Sequence, residues 1–302
     1  MADPVPPIYP LRGLAGAVPP APDWFARALA TSCDAFTVRV DGATLDCRAW
    51  GARGLPGLVL LHGNSAHMGW WDFLAPFFAG EFRVVTLSFG GMGRSDRRTR
   101  YSYDTYVAEA LAAAEAGGAY LSGLPVFVGH SMGGNPVTRI AARQPHRLRG
   151  AVTLDTGRLT PSVAPSTAPA RRHRVYPSLA EALDRFRLAP SQPCDNLYLV
   201  DHVARLGLGE VPGGYSWRFD PTLADRIVRG DMWGDLAAVK VPFAQLRGEL
   251  TDVACGEIWD RALAVAPRGT PAITIAGAYH HVMLDQPLAL VAALRTLLAA
   301  WA

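Results

Sequence analysis

Lysine is almost missing from this 302-residue chain. Lys240 is the only one, and arginine carries nearly all the positive charge. The net charge is only +3, and the arginines are scattered apart from the runs Arg94–Arg100 and Arg171–Arg174. That balance reads as a solvated surface and excludes a dedicated nucleic-acid interface. Cysteine is also scarce. Cys33, Cys47, Cys194 and Cys255 lie far apart and form no CxxC pair, which excludes a disulfide framework and a zinc ribbon. Reduced thiols of a cytoplasmic protein are the expectation. The opening MADPVPPIYP lacks the charged-then-apolar run of a signal peptide. No stretch approaches the ~18 uninterrupted apolar residues of a membrane span. No metal-ligand spacing, dinucleotide fingerprint or internal repeat is visible, so neither a metal nor a cofactor is expected.

Half of the residues are hydrophobic and 18% are charged, the balance of a globular chain with a sizeable core. Residues 1–35 read as a proline- and alanine-rich arm with an aromatic pair, Trp24 and Phe25, packed on the surface. From Phe36 the pattern becomes regular. Phe36–Val40 and Leu45–Trp50 flank Asp41-Gly42, a hairpin signal. The apolar runs Leu58–Leu61, Arg83–Leu87, Pro125–Val128, Ala151–Leu154, Pro242–Leu246 and Ala272–Ile275 read as strands. Asp104–Ala116, Met132–Ala142 and Pro287–Trp301 read as helices between and after them. Strands alternating with helices predict an α/β protein with a mostly parallel sheet covered on both faces.

Between Thr156 and Leu236 the alternation stops. A proline-rich stretch, Pro161–Pro169, leads into the helical pieces Leu179–Arg187 and Asn196–Leu206 and an aromatic loop, Tyr215–Phe219. This segment reads as an insertion over the sheet edge, since a structureless loop of that length is improbable. The domains are therefore the arm at 1–35, a core at 36–155 and 236–302, and a cap at 156–235.

Gly129-His130-Ser131-Met132-Gly133 carries the chemistry. A lone serine between glycines, with a buried strand before it and a helix after it, suits a tight turn. Such a turn pushes the hydroxyl into a cleft. A serine is a weak nucleophile without a base. His280 and His281, just after the last strand, have no evident packing role. His280 is the preferred base, with His281 a neighbour that lines the cleft. An imidazole base needs an acceptor to fix its tautomer. Asp252 in Arg247-Gly248-Glu249-Leu250-Thr251-Asp252 is preferred. Glu249 would have to reach further, and Asp155, which also ends a strand, is the rival. Two backbone N–H groups would meet the oxyanion, one from Met132 and one from Asn64. His62 ties down the Asn64 loop. Trp70 and Trp71 either wall the acyl pocket or pack in the core.

These motifs resemble the α/β-hydrolase superfamily. The similarity rests on "LLHGNSAHMGWWDF", "LSFGGMGRSD", "VFVGHSMGGNP", "LRGELTD" and "GAYHHVMLDQP", in that order across residues 58–287. The resemblance implies an eight-stranded, mostly parallel sheet with a helical cap inserted after the sixth strand. It implies a triad in the order Ser131, Asp252, His280 and an oxyanion hole of Asn64 and Met132. One departure is visible: Ser88–Ser95 lacks an aspartate that many relatives carry there. A serine nucleophile points to acyl transfer on a small-molecule carboxylic ester with a hydrophobic acyl or aryl group. Relatives that open epoxides or remove halide use an aspartate instead. The same triad serves C–C bond and lactone hydrolysis, and the fold also serves as a ligand receptor without turnover.

Overall fold

The computed structural model describes residues 8–157 and 173–301. The Pro161–Pro169 stretch, the pair Arg171 and Arg172, and the first seven residues lie outside them. Eight strands form one sheet: β1 (Asp34–Val40), β2 (Ala43–Trp50), β3 (Gly57–Leu61), β4 (Arg83–Leu87), β5 (Val126–His130), β6 (Gly150–Leu154), β7 (Phe243–Gly248) and β8 (Ala272–Ile275). Their spatial order is β1-β2-β4-β3-β5-β6-β7-β8. The β1–β2 hairpin and its join to β4 are antiparallel, and every other pairing is parallel.

The hairpin turns at Asp41 and Gly42, both at positive φ, where an Asp-Gly pair costs little. β2 alternates buried and half-buried residues, as a strand near a sheet edge does. β3, β4, β5 and β6 are buried at every position. Their period of two sorts side chains into two cores. Leu58, Leu60, Val126, Val128, Val152 and Leu154 face one way, against the helix Pro287–Ala300. Val59, Leu61, Phe127 and Ala151 face the other, against the helices Tyr103–Gly117 and Gly134–Arg143. The helix Tyr103–Gly117 is capped at both ends. Ser102 Oγ accepts from Thr105 N–H, and Gly118 closes the helix at φ 84°.

Between β6 and β7 the described residues form the helices Leu179–Leu183 and Leu197–Leu206, a hairpin of Leu208–Val211 and Gly214–Trp217, and then the short helices Leu223–Arg226 and Met232–Ala237. The aromatic stretch at 215–219 thus begins as a strand rather than a loop. Gly213 and Gly214, both at positive φ, supply the turn that pairs it back. The stretch Leu179–Arg187 is helical only as far as Leu183. The helix Asp23–Leu29 near the amino terminus packs Phe25 against Tyr198 and His202 of the insertion, at ring separations of 5.1 and 5.7 Å. No helix among the described residues is long and apolar enough to cross a membrane.

Candidate active site

β5 delivers the serine. Its last residue, His130, is extended, and Ser131 then turns to φ 52°, a left-handed conformation unfavourable for a residue with a Cβ. The turn holds because its neighbours are small. A Cβ on Gly129 would collide with the Gly133 carbonyl, and one on Gly133 would lie 2.5 Å from the carbonyl oxygen of His62. The second approach also shows that the loop after β3 rides directly against the serine turn.

The imidazole comes from the loop after β8. His280 Nε2 lies 3.0 Å from Ser131 Oγ, and its Nδ1 lies 2.8 Å from Asp155 Oδ1. The ionised carboxylate accepts, so Nδ1 carries the proton and Nε2 is free to take the serine's. The residues were brought together from positions 131, 155 and 280.

Asp155, and not Asp252, is therefore the acid at the imidazole. The sheet explains the correction. In the β5–β6 pairing His130 stands opposite Leu154, so Ser131 and Asp155 are the next residues out on adjacent strands. Leu154 in turn pairs with Leu246 of β7, which puts Asp252 six residues past that register and on the surface. The loop after β7 still serves the site, by holding Asp155. Gly248 N–H donates to Asp155 Oδ2 at 2.8 Å and Thr251 Oγ donates to Oδ1 at 2.7 Å. With the imidazole, three donors meet a carboxylate that is wholly buried, which offsets its desolvation. Asp155 also adopts a positive φ of 46°, which aspartate tolerates better than most residues. Glu249 points elsewhere and accepts from Gly277 N–H.

The loop after β3 is fixed by His62. Its Nε2 accepts from Phe89 N–H at 3.0 Å, so Nδ1 carries the proton and donates to the Gly63 carbonyl at 2.7 Å. Burial pushes its pKa down to about 3. Ser88 and Ser95 hold the neighbouring loop, where relatives carry the aspartate. Ser95 Oγ donates to Ser88 O, and Ser88 Oγ accepts from Met68 N–H.

A cavity of about 830 Å³ opens beside this centre. Asn64, Trp70 and His281 line it, together with Phe186, Leu188 and Trp217 of the insertion. Trp71, grouped with Trp70 at the sequence level, has no exposed surface and packs among Phe73 and Leu74 in the core. Successive residues of a 3₁₀ turn such as this one point about 120° apart, so one indole can reach the cavity while the next packs inward.

Two residues of the site escaped sequence reasoning, Thr251 and Gln192. Gln192, in the insertion, accepts from His281 N–H at 2.9 Å and donates to both carboxylate oxygens of Asp285. Asp285 accepts from Tyr279 N–H at 2.8 Å, and burial raises its pKa to about 6. The loop carrying His280 is thus gripped from the insertion. Gln192 lies in no motif, and Thr251, although inside "LRGELTD", gives no local sign of its role, since each acts through a distant partner.

The family profile described as the alpha/beta hydrolase fold matches residues 56–239. The chain belongs to the α/β hydrolase family. Among curated relatives, this chain is similar to a serine hydrolase-like protein of Danio rerio, 28% identical over 211 residues, and the match spans 61% of each protein. It is 27% identical over 276 residues to an esterase of Mycobacterium tuberculosis, across 86% of this chain and 88% of that one. A non-heme chloroperoxidase of Streptomyces lividans is 40% identical over 118 residues, 38% of this chain and 41% of its own. Among solved structures, the thioesterase domain from the curacin biosynthetic pathway superposes with a TM-score of 0.72 at 20% identity, covering 88% of this chain and all of that one. That likeness speaks to the fold.

Proposed function

We propose that this α/β hydrolase cleaves carboxylic esters through a covalent acyl-enzyme. The observation that carries the reading is the unbroken chain of hydrogen bonds from Ser131 Oγ through His280 to buried Asp155. Ser131 Oγ attacks the ester carbonyl while His280 Nε2 takes its proton. The oxyanion is met by the backbone N–H groups of Met132 and Asn64. As the C–O bond breaks, His280 hands the proton to the departing alcohol. Water then enters with His280 again as base and releases the acid and Ser131. Asp155 keeps the imidazole in the productive tautomer and stabilises its charged form. Trp70 and His281 wall the acyl side, and the aromatic insertion favours a hydrophobic acyl or aryl group. Relatives named as an esterase and, in Homo sapiens, a monoglyceride lipase support ester cleavage in general.

A fluorophosphonate probe tests the nucleophile. Labelling is expected in the wild type, in Ser65→Ala and in Ser95→Ala, and lost in Ser131→Ala. p-Nitrophenyl acetate and butyrate test the bond. Turnover of a ring-fission diketone without turnover of either ester would replace ester cleavage by C–C bond hydrolysis.

A further inference from the structure

Three histidines converge at this centre, although only one is needed for proton transfer. One ring nitrogen from each of His130, His280 and His281 lies within 4.8 Å of the other two. All three side chains are at least nine-tenths buried, at 2%, 3% and 5% exposure. His130 Nε2 lies 3.0 Å from the His280 carbonyl oxygen, which only accepts, so its proton sits on Nε2 and Nδ1 holds a lone pair. Among the described residues that Nδ1 has no hydrogen-bond partner, and neither ring nitrogen of His281 has one. Buried polar atoms without partners cost about 1–3 kcal/mol each, so a cluster of three asks for an explanation.

We propose that His130, His280 and His281 form a site for a divalent transition-metal ion of the zinc type, with Ser131 Oγ as a fourth ligand, and that the bound ion switches hydrolysis off. The ligand chemistry selects the ion class. Three neutral imidazoles suit Zn²⁺, Co²⁺ or Cu²⁺ and not Mg²⁺ or Ca²⁺, which take oxygen ligands. The Asp155 carboxylate behind His280 Nδ1 and the carbonyl behind His130 Nε2 are the outer partners that metal-bound imidazoles have. Tetrahedral Zn–N bonds of about 2.0 Å put ligand nitrogens about 3.3 Å apart, so the rings must draw together modestly on binding. The cavity reaches His281 and gives the ion its way in.

The consequence for the reaction is direct. The lone pair of His280 Nε2 that accepts the Ser131 proton is the one the ion takes. A metal-bound His280 is no longer a base, and Ser131 is held as a ligand. The inhibition rests on the ester-hydrolase reading above, whereas the binding does not.

Calorimetric titration of the full chain with ZnCl₂ should give one tight site. Co²⁺ should give the visible absorption of a tetrahedral ion, and MgCl₂ should give neither. His281→Gln should weaken Zn²⁺ binding at least tenfold, and Zn²⁺ should slow fluorophosphonate labelling of Ser131 in the wild type. Fractional inhibition, measured against each variant's own metal-free rate, should shift with the affinity. A wild type that binds no Zn²⁺, a folded His281→Gln that binds it as tightly, or Ser131 labelling indifferent to saturating Zn²⁺ would each overturn the proposal. Should no ester be hydrolysed while Zn²⁺ still binds with the Co²⁺ signature, the metal site stands and the ester reading falls.

Discussion

At the residue scale, the site turns on which carboxylate meets His280. Asp155→Asn offers Nδ1 an amide that can also donate, and so favours the wrong tautomer. It should lower kcat for p-nitrophenyl butyrate by about 10³–10⁴-fold with the far-UV spectrum unchanged. Asp252→Asn, on the surface, should stay within about twofold of the wild type. Thr251→Val removes one of the three donors to the Asp155 carboxylate, and a bond to a charged group is worth about 1.5–3 kcal/mol. Its loss should appear in kcat rather than KM. The meeting of Ser131 and His280 is legible in the sequence because each sits in a local pattern, a glycine-flanked serine after a strand and a histidine after the last strand. The acid was not legible. Asp155 and Asp252 both follow strands, and the choice depends on which strand lies beside β5 and in what register. That is a property of the sheet and leaves no local mark.

At the element scale, the strand positions follow from short apolar runs bounded by glycine, proline and aspartate. The β1–β2 turn follows from Asp41-Gly42. The insertion was harder to read. Its helix after Leu179 stops early, and its aromatic stretch pairs as a hairpin, because contacts with the core override weak local preference in short pieces. These elements meet the His280 loop at Gln192. Gln192→Leu would leave His281 N–H and part of the Asp285 carboxylate without partners in a buried setting. A loss of about 1–3 kcal/mol in denaturant stability is expected, with a fall in kcat as the His280 loop loosens.

At the scale of the whole molecule, buried histidines set the response to acid. Burial lowers the pKa of His62 to about 3 and of His67 to about 4, and drives those of His130 and His281 well below 6.5. Each stays neutral in the fold but takes a proton in the unfolded chain. Their stabilisation is therefore complete above about pH 6.5 and is lost as pH falls toward the folded values. Each contributes a slope of about 1.4 kcal/mol per pH unit in that window. Glu109 and Asp285, whose folded pKa values rise to about 6, and Asp46, also raised by burial, act oppositely at mildly acid pH, but they are three against five, since burial lowers His173 as well. Urea midpoints should therefore fall steadily from pH 7 to pH 5. In His67→Gln the fall should be shallower, read from the same titration series.

The bond from Gln192 to the His280 loop sets a rule for anyone exchanging this insertion between relatives. A transplanted insertion that brings no amide to this spot would leave the loop of His280 unanchored. Such a chimera would bind its new substrate and turn it over poorly, and restoring one glutamine should recover the rate.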